Sequence, residues 1–200
     1  VYRCRLSDED EGERGFRMAV LVQRPARFRL ELYGAVGGPR LLVASDGTLL
    51  DAAMPGERMH ASAPATAEAF RTLLGVSVDG AALLDLLTGA GSDAAGPVSD
   101  GFQIAYGETE ATPAGPLPSE VQLAREGRSL TLRLRHAEPR SGVGPDAFRL
   151  PVPAGFRGVP LEAIAGAGGI LFAPPEDGSG GGEEPPSARV PGVDTSPQLQ

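Results

Sequence analysis

Between Arg14 and Ala61 apolar residues fall on alternate positions, interrupted only by short turns, and this period of two restricts that stretch to β-structure. Phe16, Met18, Val20 and Val22 alternate with Arg17, Ala19, Leu21 and Gln23, and Phe28, Leu30 and Leu32 alternate with Arg27, Arg29, Glu31 and Tyr33. Strands are expected over residues 1–6, 15–24, 26–33, 40–45, 48–53 and 57–61, with an acidic turn over 7–13. Turns are expected at Gly37-Gly38, Asp46-Gly47 and Pro55-Gly56. Such short connections favour antiparallel neighbours. A large sheet with one apolar face must cover that face. With no tryptophan, 7 phenylalanines and 28 glycines, this chain has few large side chains for filling a wide interior, which points to a protein that holds something apolar.

The meander hands over to two short leucine-rich helices. Thr66 can cap one that places Phe70, Leu73 and Leu74 at helical spacing before Gly75. Asp79 can cap a second, whose Leu83, Leu84, Leu86 and Leu87 form a broad apolar stripe ahead of Gly89. Helices this short are marginal alone, so both are expected to dock on the concave side of the sheet. After a Gly, Ala and Asp loop over 90–100, alternation returns at Phe102, Ile104 and Tyr106, at Val121 and Leu123, and over Ser129–Arg135, where Leu130, Leu132 and Leu134 share one side. Gly127 suits a tight hairpin turn, and Phe148, Leu150 and Val152 predict one more strand, ended by Pro153. Residues 1–173 therefore read as one folded domain. Residues 174–200, rich in Pro, Gly, Ser and Glu, cannot offset their ordering entropy and are expected to be a disordered tail.

Composition narrows the function. A net charge of -8 argues against a nucleic-acid partner, whose phosphates demand clustered cations. Every one of the 18 basic residues is arginine, a usage we attribute to coding bias. Cys4 is the single cysteine, so no disulfide can form within the chain. His60 and His136 are far apart and lack metal-ligand spacing, and the acidic run from Asp8 to Glu13 lacks the calcium-loop pattern. No phosphate-loop lysine and no Gly-x-Ser-x-Gly elbow occur. We therefore expect no catalysis, metal or cofactor. No stretch reaches the roughly 18 apolar residues that cross a bilayer.

The runs Leu21-Val22-Gln23-Arg24-Pro25-Ala26-Arg27-Phe28-Arg29, Leu42-Val43-Ala44-Ser45-Asp46-Gly47 and Pro55-Gly56-Glu57-Arg58 resemble the LolA/LolB superfamily of bacterial lipoprotein carriers and receptors. Leu73-Leu74-Gly75-Val76, Leu83, Leu87-Thr88-Gly89, Pro118 and the segment from Glu120 to Leu134 look more like the LolB branch. The resemblance covers about Arg14 to Val152. It implies an α+β fold: an incomplete antiparallel β-barrel with short helices forming a lid over an apolar cavity that shelters acyl chains. The partners implied are acylated lipoproteins or another lipid, with contact to the outer membrane, and a monomer is expected. The location implied is the periplasm, with the option of an outer-membrane anchor ahead of Val1.

Candidate cavity residues are Val20, Val22, Phe28, Leu30, Leu32, Leu41, Val43, Phe70, Leu74, Leu83, Leu87, Leu130, Leu132 and Leu134; ordinary core packing is the alternative for each. By resemblance, Arg24 would latch the lid, the alternative being a solvated strand-end arginine. Val36, at the tip of the loop from Gly34 to Pro39, would touch the membrane. A ~16-carbon acyl chain gains on the order of 12 kcal/mol on leaving water, nearly what a bilayer offers, so a carrier needs an adjustable pocket. An alternative function is an envelope sensor or scaffold of the same fold that binds a peptide or partner protein.

Overall fold

The computed structural model describes residues 1–8, 12–34, 37–90 and 101–168. One ten-stranded sheet organises them. The meander is β2 (Gly12–Gln23), β3 (Arg27–Tyr33), β4 (Pro39–Ser45), β5 (Leu49–Met54) and β6 (Met59–Pro64). On its far side, β1 (Tyr2–Asp8) pairs antiparallel with both β2 and β11 (Arg128–Leu134), followed by β10 (Glu120–Arg125) and β7 (Gln103–Tyr106). A two-residue β12 (Arg157–Gly158) adds parallel to β6. The sheet is curved and its two edge strands do not meet, so the α+β half-barrel outline holds without closure. A separate hairpin, β8 (Thr109–Thr112) with β9 (Gly115–Pro118), was not foreshadowed in the sequence.

Cross-strand register sorts the residues into two faces. Tyr2, Met18, Leu32 and Leu134 lie on one row, and Val20, Leu30, Val43 and Ala52 on another. This inner face merges with the helices into one core. Helix α1 (Ala67–Leu74) starts at Thr66, whose hydroxyl accepts from the Ala69 N–H, and ends at Gly75 with φ 75°. Helix α2 (Gly80–Thr88) starts at Asp79, whose carboxylate accepts from the Ala82 N–H, and ends at Gly89 with φ 68°. Each cap satisfies an N–H that has no partner within its helix, and each glycine takes the left-handed conformation that closes the last turn. Phe70 meets Phe28 with ring centroids 5.7 Å apart. Helix α3 (Leu161–Gly168), not expected from the sequence, packs on α1, β5 and β6.

The strand expected at Phe148, Leu150 and Val152 is corrected. Pro145–Phe148 is a 3-10 turn, and the chain beyond it runs as an irregular strap on the outer face. Pro151 and Pro153 supply no N–H, which rules out a regular ladder there. Leu150 instead buries against Ala44 and Ala53, and its N–H donates to Asp51 at 3.3 Å. Arg149 donates from Nε and Nη2 to Asp46 Oδ2 at 3.0 and 2.6 Å. Val152 is left exposed. The expected tail, 174–200, lies outside the described residues.

Candidate functional site

Between α2 and the inner face lies an apolar cavity of about 40 Å³. Met18, Leu30, Leu123, Leu130 and Leu132 rise from the sheet, Leu74 and Val76 come from the end of α1 and the loop after it, and Leu83, Leu86 and Leu87 descend from α2. A cavity lined only by such side chains stays dry. A site for a drug-sized ligand needs roughly 300–1,000 Å³, so in this conformation the cleft is closed.

Three contacts hold α2 over it. At the N-terminal end, Gly80 packs so closely on the turn between β2 and β3 that a Cβ would lie 2.8 Å from the Ala26 carbonyl oxygen. In the same turn, Arg24 donates from Nη1 to Asp85 Oδ1 at 2.8 Å and from Nη2 to Thr88 Oγ1 at 3.4 Å. Thr88 in turn donates to the Leu84 carbonyl at 2.8 Å. At the C-terminal end, the buried Tyr2 hydroxyl donates to the Leu87 carbonyl at 3.0 Å. Burial first, and the nearby Cys4 second, push the Tyr2 hydroxyl up to about 12. The Tyr106 hydroxyl is also raised, by burial and then by the Asp85 charge.

The sequence-derived residues divide by position. Leu30, Leu74, Leu83, Leu87, Leu130 and Leu132 line the cavity. Phe28, Leu41, Val43 and Phe70 are fully buried in the surrounding core, and Val20, Leu32 and Leu134 are half-buried against it. Val22 shares the row of Phe28 but stands 39% exposed, near the end of β2. Arg24 reaches α2 as described, and Val36 lies outside the described residues. The cavity also uses Met18, Leu86, Leu123 and Val76, absent from the sequence-derived set. The first three were visible in the same alternation and helical stripe; Val76 sits in an irregular loop with no period to mark it.

No polar side chain among the described residues lines the cleft. Among the described residues no group of three His, Cys, Asp or Glu side chains could hold a metal ion. The buried His60 Nε2 has no hydrogen-bond partner among the described residues, but His60 lies on β6 opposite Ala53, on the outer face. Cys4 is buried, and burial pushes its thiol up to about 12. No family model matches the chain, and no curated protein matches its sequence. Among the described residues no helix is long and apolar enough to cross a membrane.

Proposed function

We propose that the protein is a non-catalytic lipid-binding module that takes the acyl chains of a lipoprotein, or of another lipid, between α2 and the inner face of its sheet. The observation that carries this reading is the wholly apolar cleft under α2, beneath a helix held from outside by an exposed ion pair. Helix α2 acts as the lid and Arg24 as its latch. Lifting α2 would expose Leu83, Leu84, Leu86 and Leu87, at a cost of roughly 6–12 kcal/mol for four leucines. An acyl chain of ~16 carbons releases on the order of 12 kcal/mol when it leaves water. The two are close enough for a ligand to open the cleft and for a bilayer or second carrier to take the ligand back. The LolA/LolB-like sequence runs support lipoprotein localisation at the outer membrane, from the periplasmic side, as the setting.

The small volume of the closed cleft favours one second reading, a sensor or scaffold of the same fold that engages a peptide or partner protein. Native mass spectrometry of the protein purified from a bacterial envelope separates the two. Co-purifying phospholipid or acylated peptide is the expected result. Reproducible absence of lipid, together with no displacement of a fluorescent fatty acid, would overturn lipid carriage.

A further inference from the structure

On the outer face, three arginines stand directly across from one another on adjacent strands. Arg3 on β1 faces Arg17 on β2 and Arg133 on β11. All three are exposed, since their neighbours Tyr2, Cys4, Met18 and Leu132 point to the core. Directly opposed residues in a ladder place their Cβ atoms about 4.5–5.5 Å apart, where like charges repel. The two ends of the row are compensated: Arg133 Nε donates to Glu120 Oε2 at 2.6 Å, and the Arg17 guanidinium lies 5.7 Å from the Tyr33 ring centroid. Among the described residues the central Arg3 side chain has no partner. One pleat along, Arg5 faces Gly15 and binds Glu13 at 3.3 Å. Gly15, between Arg17 and Glu13 on β2, leaves a gap at the corner of this group beside Arg5 and Arg17: a Cβ there would meet only the Cys4 carbonyl oxygen, at 4.0 Å.

We propose that Arg3, Arg5, Arg17 and Arg133 form a docking face for an anionic lipid bilayer. The guanidiniums spread over three strands, roughly 10 Å across at ~4.8 Å per strand, which is wider than one phosphate group can engage. A plane of repeating phosphates matches them in charge and spacing. The net charge of -8 does not oppose this at close range. The Debye length is about 8 Å at physiological salt, so the carboxylates that count among the described residues are those on this face, Glu13, Glu31 and Glu120, each already paired with an arginine: Arg5, Arg29 and Arg133 respectively. The strap covers the same face over Ala44 and Ala53 on β4 and β5, while β1, β2 and β11 present the arginines. Docked this way, the molecule turns its back to the bilayer and α2 with its cleft to the aqueous side. The inference stands independently of what the cleft holds.

Co-sedimentation of the full chain with phosphatidylcholine vesicles, with and without phosphatidylglycerol, tests it. Binding is expected only with phosphatidylglycerol, and it should fall steeply as salt is raised. Arg3→Gln should weaken vesicle partitioning about fivefold, the loss expected for one arginine near an anionic surface. Gly15→Glu, which seats a carboxylate in the gap, should weaken it at least as much, whereas Arg140→Gln on the exposed strand-to-strap connection should change it less than twofold. Far-UV circular dichroism checks that each variant is folded, and Gly15→Glu decides the matter should Arg3→Gln fail to fold. Equal losses in all three variants, salt-insensitive binding, or equal binding to uncharged vesicles would overturn the proposal; the last would point to uptake through the cleft. Saturable binding of inorganic phosphate without vesicle binding would also overturn it, in favour of a compact anion site.

Discussion

The Tyr2 hydroxyl donates a 3.0 Å hydrogen bond to the Leu87 carbonyl, so the first strand grips the last turn of α2. That carbonyl is one of those a helix end leaves without an internal partner. Tyr2→Phe keeps the ring and removes the donor. We expect a loss of about 1–2 kcal/mol in urea unfolding and faster uptake of a fluorescent fatty acid; unchanged uptake would separate this bond from the movement of α2.

Alkaline stability follows from the same corner of the molecule. Burial raises the Cys4 thiol from 9.0 to about 12 and the Tyr2 hydroxyl from 10.0 to about 12. Above pH 9 the unfolded chain gives up protons that the folded chain retains, so stability falls as pH rises. Both contributions are complete below pH 9 and lost by about pH 12. Denaturation midpoints across this range should decline in the native sequence. Cys4→Ala should flatten the curve from its lower end, and Tyr2→Phe should flatten only the part above pH 10.

Arg24→Leu tests the latch. The Arg24 and Asp85 side chains are 59% and 45% exposed, and such surface pairs contribute at most about 1 kcal/mol. The variant should therefore keep its unfolding midpoint while releasing bound fatty acid several-fold faster in stopped-flow displacement. An unchanged off-rate would leave Arg24 as a solvated strand-end residue.

Gly80→Ala opposes two effects. Alanine improves helix propensity, by less than the ~1 kcal/mol of a helix interior because Gly80 is the first residue of α2, but its Cβ would sit 2.8 Å from the Ala26 oxygen and 3.2 Å from the Ala26 Cβ. Overpacking against backbone costs about 1–3 kcal/mol, so net destabilisation is expected by chemical denaturation. A stabilised variant would show that α2 can slide on the Ala26 turn.

Asp46 ties the β4–β5 turn to the strap. Its Oδ1 accepts from the Thr48 hydroxyl at 2.7 Å and from the Thr48 and Leu49 N–H groups at 2.8 and 2.9 Å. These bonds, led by that of the Thr48 side chain and joined by that of Arg149, hold the carboxyl well below its usual range. A depressed carboxylate stabilises the fold above its unfolded value, near pH 4, and ceases to do so as pH falls further. Asp46→Ala should lose roughly 1–3 kcal/mol at neutral pH and show a shallower acid limb below pH 4.

Local chemistry was the legible part of the sequence. The Thr66 and Asp79 caps, the Gly75 and Gly89 stops and the two-residue turn at Glu126-Gly127, with φ of 48° and 76°, depend on residues a few positions apart. The inner-face alternation was equally plain. Hidden instead were α3, whose Ala and Gly content gives little period, and the strap, where Phe148 and Leu150 imitate a strand until their prolines are weighed. The row of Arg3, Arg17 and Arg133 becomes visible only once register is known. Six leucines of the alternation and the helical stripes line the small apolar space under α2, but its near closure depends on how every side chain meets the next, which no periodicity encodes.

The position of β1 has a kinetic consequence. Its seven residues join the meander to the late strands, yet Tyr2 pairs with Leu134 on one side and Met18 on the other. During synthesis one edge of β1 is satisfied almost at once, while the other waits for nearly the entire domain to be made. Pairings of such sequence separation form slowly. The nascent meander thus carries an open strand edge, able to recruit a neighbouring chain, until β11 arrives.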